Sequence, residues 1–319
     1  MPDKLVRIHR AHTQDRRDGR PAMLGIAGDS AAGKTTLTRG LVAALGNGRS
    51  TSVCVDDYHR YDRRERGNLP FTPLHPECNY VAIMEQHLEL LAAGQPVLKP
   101  VYDHAEGTLV RPELVEPRDF VIAEGLLPLH TRLSRACFDV TVFLAPPERL
   151  RRRWKVQRDT TKRGYTAEQV LAELERREPE SQRFIRSQRE NADIVVSVGG
   201  LEESADPSCR LLPTTLLLRP TVRQPNLAEI LAEVPTSAPR VELMRDADGR
   251  PVEALHIPGD ASAEECTIVG KAIWDTLDAD YPLPESLGLL EGGVRSEPLR
   301  LTQLMMLYHL VNAAVMRHD

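Results

Sequence analysis

The sequence predicts an α/β fold, a mostly parallel β-sheet flanked by helices, with a smaller mixed α+β region at the C-terminal end. Three observations carry this expectation. Short β-rich runs alternate with amphipathic helical stretches from residue 22 onward. Several of these runs are apolar throughout rather than alternating, as strands covered on both faces are. A glycine-containing loop, GDSAAGKTT, joins the first run to the first helical stretch.

The elements follow in order. Residues 1–20 are Arg-rich, carry Asp3, Asp15 and Asp18 and lack an apolar stretch, so they read as a polar arm rather than a secretory or organellar leader. Strands are expected at 22–27, 51–55, 120–123, 140–144 and 194–198. Leu37, Leu41 and Leu45 recur at helical spacing. Tyr80, Ile83, Met84, Leu88 and Leu91 form a second stripe, which Gly94 closes at a left-handed cap. After Gly199 and Gly200 the texture changes: 211–218 and 240–244 read as strands, and DADGR at 246–250 as a hairpin turn. Ser262, with Glu265 three residues on, caps a helix carrying Ile268, Val269, Ala272 and Ile273 on one side. The apolar stretch at 299–316 is helical in propensity and is expected to pack on the body or on a second subunit. The chain thus divides into an arm (1–20), a nucleotide domain (21–200) with a lid at about 148–164, and a C-terminal region (201–319).

Composition bounds the function. The 319 residues suit two domains, and Lys+Arg 41 against Asp+Glu 46 leaves a formal charge of −5. No basic excess points to nucleic acid, and the 4% aromatic content argues against a base-stacking surface. No apolar run is long enough to span a bilayer. The five cysteines are scattered, with no CxxC pair, which speaks against a disulfide framework or a cysteine zinc site and fits a reducing cytoplasm.

Residues Gly28, Asp29, Ser30, Ala31, Ala32, Gly33, Lys34, Thr35 and Thr36 match G-x-x-x-x-G-K-[ST] between a strand and a helix. Such a loop aims backbone N–H groups at phosphates, with Lys34 on the β/γ-phosphates and Thr35 on Mg²⁺. A plain glycine turn is the alternative. The next strand runs into SVCVDDYHRYDRRER, which puts Asp56 and Asp57 at its carboxyl end, where open α/β sheets collect ligands. A carboxylate there can take the proton of an attacking hydroxyl while His59 and Arg63 hold an anion. His59 and Arg63 share a face if the segment is helical; an acidic strand end with a solvated loop is the alternative. FVIAEG at 120–125 ends in Glu124, read as support for Mg²⁺ or as a helix cap. In ERLRRRWKVQRDTTKRG, Lys155, Arg158, Asp159 and Lys162 fall on one helix face. This basic helix reads as a lid over the transferred phosphoryl group, as a patch for RNA or an acidic partner, or as a solvated face.

Together these motifs, with NYVAIMEQ, KPVYDHAEGTL, FVIAEGLLPLH and WKVQRDTTKRGYT, resemble the phosphoribulokinase family, within the wider phosphoribulokinase and uridine kinase group of P-loop kinases. The likeness runs from about Leu24 to Val198 and is greatest to the longer form of plants and cyanobacteria. It implies a P-loop kinase fold, ATP and Mg²⁺, and phosphoryl transfer to the 1-hydroxyl of ribulose 5-phosphate, giving ribulose 1,5-bisphosphate for carbon fixation.

By the same resemblance Asp56 is the catalytic base, and His59 and Arg63 touch the sugar phosphate. Glu124 matches the acidic Mg²⁺ partner, and Lys155, Arg158, Asp159 and Arg163 match the lid positions. Tyr102 and His104 fall where relatives line the acceptor pocket, and Arg176 matches a further basic substrate residue. A homodimer is implied as well. A related kinase for another sugar phosphate or for uridine, and a non-catalytic nucleotide-binding regulator, are the competing readings.

The plant enzymes carry a regulatory disulfide between a cysteine in the P-loop and the cysteine before the DDYH segment. Here Cys54 occupies the second position and Ala32 the first. Nucleotide-dependent activity is therefore expected to ignore dithiol reductants by this route. Reversible inactivation by oxidised dithiothreitol, abolished by Cys54→Ser, overturns that expectation.

Overall fold

A computed structural model of the protein describes residues 20–199, 212–234, 239–277, 281–290 and 292–316. The arm expected at 1–20, apart from Arg20, lies outside the described residues, as do Leu211 and Cys209.

All five strands expected before residue 200 form: β1 (Ala22–Gly28), β2 (Ser50–Cys54), β5 (Phe120–Gly125), β6 (Val140–Leu144) and β7 (Ile194–Val198). They pair in the order β2-β5-β1-β6-β7, each parallel to its neighbours. Their carboxyl ends therefore lie along one edge. Beyond β7 the sheet continues with β8 (Thr214–Leu218), β10 (Pro251–Ile257) and β9 (Arg240–Arg245), all antiparallel. The boundary expected near residue 200 thus falls between two hydrogen-bonded strands of one sheet. The hairpin turn at 246–250 joins β9 to β10, with Gly249 at φ 75°.

β1 shows how the sheet is covered. Ala22, Leu24 and Ile26 pack in one cluster with Leu37, Leu41 and Leu45 of the helix Lys34–Leu45 and with the C-terminal helices. Met23 packs in another, against Met84, Leu88 and Leu91 of the helix Val81–Ala92. Gly25 belongs on that second side because a Cβ there would lie 2.8 Å from the Phe138 ring. The helix Glu297–Met316 packs on the body of the chain: Leu301, Leu304, Met305 and Leu307 are fully or almost fully buried in the β1 cluster.

Two apolar stripes are narrower than expected. Tyr80 and Ile83 are exposed, because only Met84, Leu88 and Leu91 share the sheet-facing side at i, i+4, i+7. Ile268 is likewise exposed, whereas Cys266, Val269 and Ile273 are buried; the Ser262 cap and the Gly94 left-handed turn are both present. The hairpin of β3 (Val97–Asp103) and β4 (Thr108–Val115) forms a separate two-stranded sheet. Sequence reading missed these strands because most of β4 is exposed and Pro100 interrupts β3. The signal for their turn was Asp103, whose Oδ1 accepts from Ala105 and Glu106 N–H, followed by Gly107 at φ 78°.

Arg219 pins the antiparallel half to the parallel half. Its guanidinium, 2% exposed, donates to Asp246 at 2.7 Å, to Asp248 at 3.0 Å and to the carbonyls of Arg189, Glu190 and Ala192. Arg219→Ala strands a buried carboxylate and three carbonyls, so chemical denaturation is expected to show a loss of about 3–5 kcal/mol.

Candidate active site

The loop after β1 turns through left-handed backbone at Ala31 (φ 66°) and Gly33 (φ 99°) before entering the helix Lys34–Leu45. Gly28 permits close packing: a Cβ there would meet the Leu144 carbonyl oxygen at 2.9 Å. Lys34 Nζ donates to the carbonyls of Gly28 (2.9 Å) and Asp29 (3.1 Å), folding the ammonium over the loop. The Asp29 carboxylate faces the protein, accepting from Ser181 Oγ at 2.8 Å and from Arg186 Nε at 3.1 Å. Residues Ser30, Ala31, Ala32, Gly33, Lys34, Thr35 and Thr36 line a cavity of about 1100 Å³; Gly28 and Asp29 do not.

Glu124, at the end of β5, accepts a hydrogen bond from Thr35 Oγ1 at 3.2 Å. Burial raises its carboxyl pKa, against the pull of the Lys34 ammonium, and neighbouring Asp56 raises it further. A hydroxyl and a carboxylate beside the phosphate loop are hard oxygen donors of the kind Mg²⁺ takes, so the residues fit that ion. They place Glu124 beside the loop rather than at a helix cap.

The two aspartates after β2 part company. Asp56 lines the cavity and accepts from the Leu126 N–H at 2.7 Å through Oδ1. Asp57 is buried and salt-bridged to Lys99, and it accepts from the Tyr102 N–H at 3.2 Å, fixing the β3–β4 hairpin against the sheet. Cys54, just before them, has its thiol pushed well above the usual range by burial and by Asp56 and Glu124, which makes thiolate scarce.

His59, Arg63, Tyr102 and His104 meet at the same end of the cavity, but His59 and Arg63 do not share a helix face. A 3₁₀ turn, Val55–Tyr58, stops before His59, whose backbone is extended, and a separate single turn, Arg63–Arg66, starts at the Asp62 capping box. Asn79 uses its amide N–H groups on the carbonyls of Pro73 and His75, so its oxygen receives the proton of His59 Nδ1 at 2.7 Å. Burial first, then Arg66, lowers the His59 pKa to about 4. His59 is therefore a neutral hydrogen-bonding group, not the cation the sequence suggested. Arg63 spends two donors on the His104 and Ala105 carbonyls, bracing the hairpin loop.

The segment expected to be a lid forms the helix Glu148–Lys162, and Lys155, Arg158, Asp159, Lys162 and Arg163 all line the cavity. Asp159 organises them: it accepts from Lys155 at 2.8 Å and Arg158 at 2.8 Å, with Arg163 at 3.5 Å. Arg158 also reaches Ser30 Oγ at 3.3 Å, and Arg151 donates to the Ser30 carbonyl at 3.0 Å. Arg176 lines the cavity rim, exposed and paired with Glu173 at 2.9 Å.

A family model described as the phosphoribulokinase / uridine kinase family matches residues 23–204, more than half of the sequence. The chain belongs to that family. Phosphoribulokinase of a Synechocystis species is 37% identical over 204 residues, which cover 64% of this chain and 61% of that protein. The chloroplastic phosphoribulokinase of Spinacia oleracea is 32% identical over 193 residues, covering 55% of this chain and 48% of the relative. The match therefore spans only about half to three fifths of these phosphoribulokinases. Uridine kinase of Lactiplantibacillus plantarum is 31% identical over 191 residues, covering 58% of this chain and 91% of the relative. The solved phosphoribulokinase of Rhodobacter spheroides shares the fold, at a TM-score of 0.60 and 15% identity, over 81% of this chain and 97% of that one.

Within this phosphoribulokinase / uridine kinase framework, Arg39, Arg66 and Arg177 line the cavity and escaped sequence reading. Arg66 lines the cavity with its guanidinium hydrogen-bonded to Tyr102 Oη and 4.9 Å from that ring's centroid. Arg177, less exposed than its neighbour Arg176, also lines it. The signal for Arg66 and Arg177 was adjacency: RRER and ERRE each hold several arginines, and only the helix phase chooses among them.

Burial lowers the Lys155 pKa to about 8, despite its pairing with Asp159. Lys155 is thus charged at pH 7 and loses its charge as pH rises through 8. Affinity for MgATP is expected to weaken several-fold between pH 7 and 9, and calorimetric titration of Lys155→Arg is expected to show no such fall.

Proposed function

We propose that this chain transfers the γ-phosphoryl group of ATP to the 1-hydroxyl of ribulose 5-phosphate, forming ribulose 1,5-bisphosphate and ADP. The observation that carries the reading is the separation of the two aspartates: Asp57 is consumed by Lys99, while Asp56 stands on the cavity beside Glu124 and the phosphate loop. A binding module has no use for such a carboxylate.

Asp56 Oδ1 is occupied by the Leu126 N–H, which orients the group and leaves Oδ2 to take the proton of the attacking hydroxyl. Loop N–H groups and Lys34 hold the donor phosphates. Thr35 and Glu124 would hold Mg²⁺, which would neutralise phosphate charge there. Lys155, Arg158 and Arg163, preset by Asp159, surround the transferred group with positive charge and exclude water. Arg63, Arg66 and Arg177, with the neutral imidazoles of His59 and His104, suit an acceptor that is itself a phosphate ester.

The match to a uridine kinase over most of that enzyme's length supports a second reading, a nucleoside acceptor. The arginines at the acceptor end favour the sugar phosphate, since a phosphate ester supplies the opposite charge that an uncharged nucleoside lacks. The family resemblance also supports a homodimer, which light scattering reads directly.

With ATP and Mg²⁺, ADP release is expected with ribulose 5-phosphate and not with uridine; the reverse pattern transfers the assignment to the second reading. Asp56→Asn is expected to bind ATP normally and to lose roughly two to four orders of magnitude in turnover. Undiminished turnover removes Asp56 from the mechanism.

A further inference from the structure

The strands order the cavity. Along the carboxyl edge come β2 with Asp56, β5 with Glu124, β1 with the phosphate loop, then β6, β7 and β8. Asp56, Glu124 and the hairpin residues Tyr102 and His104 belong to the β2–β5 side of the loop. A linear triphosphate whose γ end lies there must carry its nucleoside toward β6–β8.

At that end the lining changes character. Val196 and Val198 of β7 face residues from outside the family-matched segment: Leu290, Ser296, Leu299 and Thr302. The last two sit in the first turns of the helix Glu297–Met316. None of these six is charged, although Arg39, beside Gly40 on the loop's own helix, adds a cation to the lining; arginines and carboxylates crowd the acceptor end. Apolar side chains with hydroxyls at intervals suit a base and a ribose, not another phosphate. Thr302 Oγ1 donates to the Pro298 carbonyl at 2.7 Å, which leaves its lone pairs as acceptors.

The wall is fixed to the phosphate loop's own helix. A Cβ at Gly40 would overlap the Gln303 amide at 1.9 Å, so the two helices meet closely at that glycine. Gln303 Oε1 in turn accepts from the Gly288 N–H at 2.7 Å, and Arg300 donates to Thr267 Oγ1 at 2.7 Å, tying the Leu290 segment and the preceding helix to the same element.

We propose that the C-terminal segment supplies the nucleoside-binding wall of this cavity, with Leu290, Ser296, Leu299 and Thr302 enclosing the base and ribose of the phosphoryl donor. The inference rests on the nucleotide-dependent reading above, but it concerns donor binding alone. Nucleotide affinity then depends on residues the family model does not reach.

Calorimetric titration of the full chain with Mg·ADP and, separately, with tripolyphosphate tests it. Leu299→Trp and Leu290→Trp, from different segments, each fill the wall; unchanged thermal midpoints show which of the two is folded. Either folded variant is expected to lose tenfold or more in Mg·ADP affinity while tripolyphosphate affinity stays within twofold. Unchanged Mg·ADP affinity, or equal loss for both ligands, overturns the inference. Failure of the unaltered chain to bind Mg·ADP overturns this inference and the proposed reaction together. Mg·ADP binding that follows the expected pattern, without turnover of any acceptor, overturns the reaction and supports the wall.

Discussion

Parallel strands cannot leave a face in water, and that constraint orders the rest of the molecule. β1 is buried from Ala22 to Gly28, so helices must cover both sides of it. The helix Lys34–Leu45 and the helix Glu297–Met316 take one side, and the helix Val81–Ala92 the other. Because all five parallel strands end on one edge, the covering helices bring their termini and loops to that edge as well. The cavity is the consequence: it lies where buried strands stop and polar backbone must find partners.

Charge at that edge is organised by a division of labour among carboxylates. Asp29 anchors the phosphate loop to Ser181 and Arg186, Asp57 holds the hairpin through Lys99, and Asp159 gathers the lid cations. Each is paired, as a buried charge must be. Asp56 and Glu124, which line the cavity as Asp159 does, accept instead from neutral donors, the Leu126 N–H and the Thr35 hydroxyl. The lid illustrates the balance of forces: burial pulls the Lys155 charge down, and Asp159, held below the usual carboxylate range by Arg158 and Lys155 against its own burial, keeps it in place.

Much of this was legible in the chain. Short β-rich runs, several of them apolar throughout, located all five parallel strands, and the glycine loop and the basic helix spacing located residues that do meet on one cavity. Legibility failed where a side chain's fate depends on a distant partner. Asp56 and Asp57 are adjacent and chemically identical, and only Lys99, brought in by a hairpin, separates their roles. His59 looked cationic until its burial and Arg66 were known. Arg177 and Arg176 differ only in helix phase.

The sequence by itself determined the parallel strands, the glycine loop, the basic helix Glu148–Lys162 and the missing cysteine at position 32, because each is encoded by residues close together in the chain. Only the tertiary structure decided that β8, β10 and β9 continue the same sheet and that the last helix reaches the cavity. Strand pairing and helix docking join segments far apart in sequence, through non-directional apolar burial that leaves no local motif. The C-terminal third therefore reads as an appendage along the chain and as a wall of the site in space.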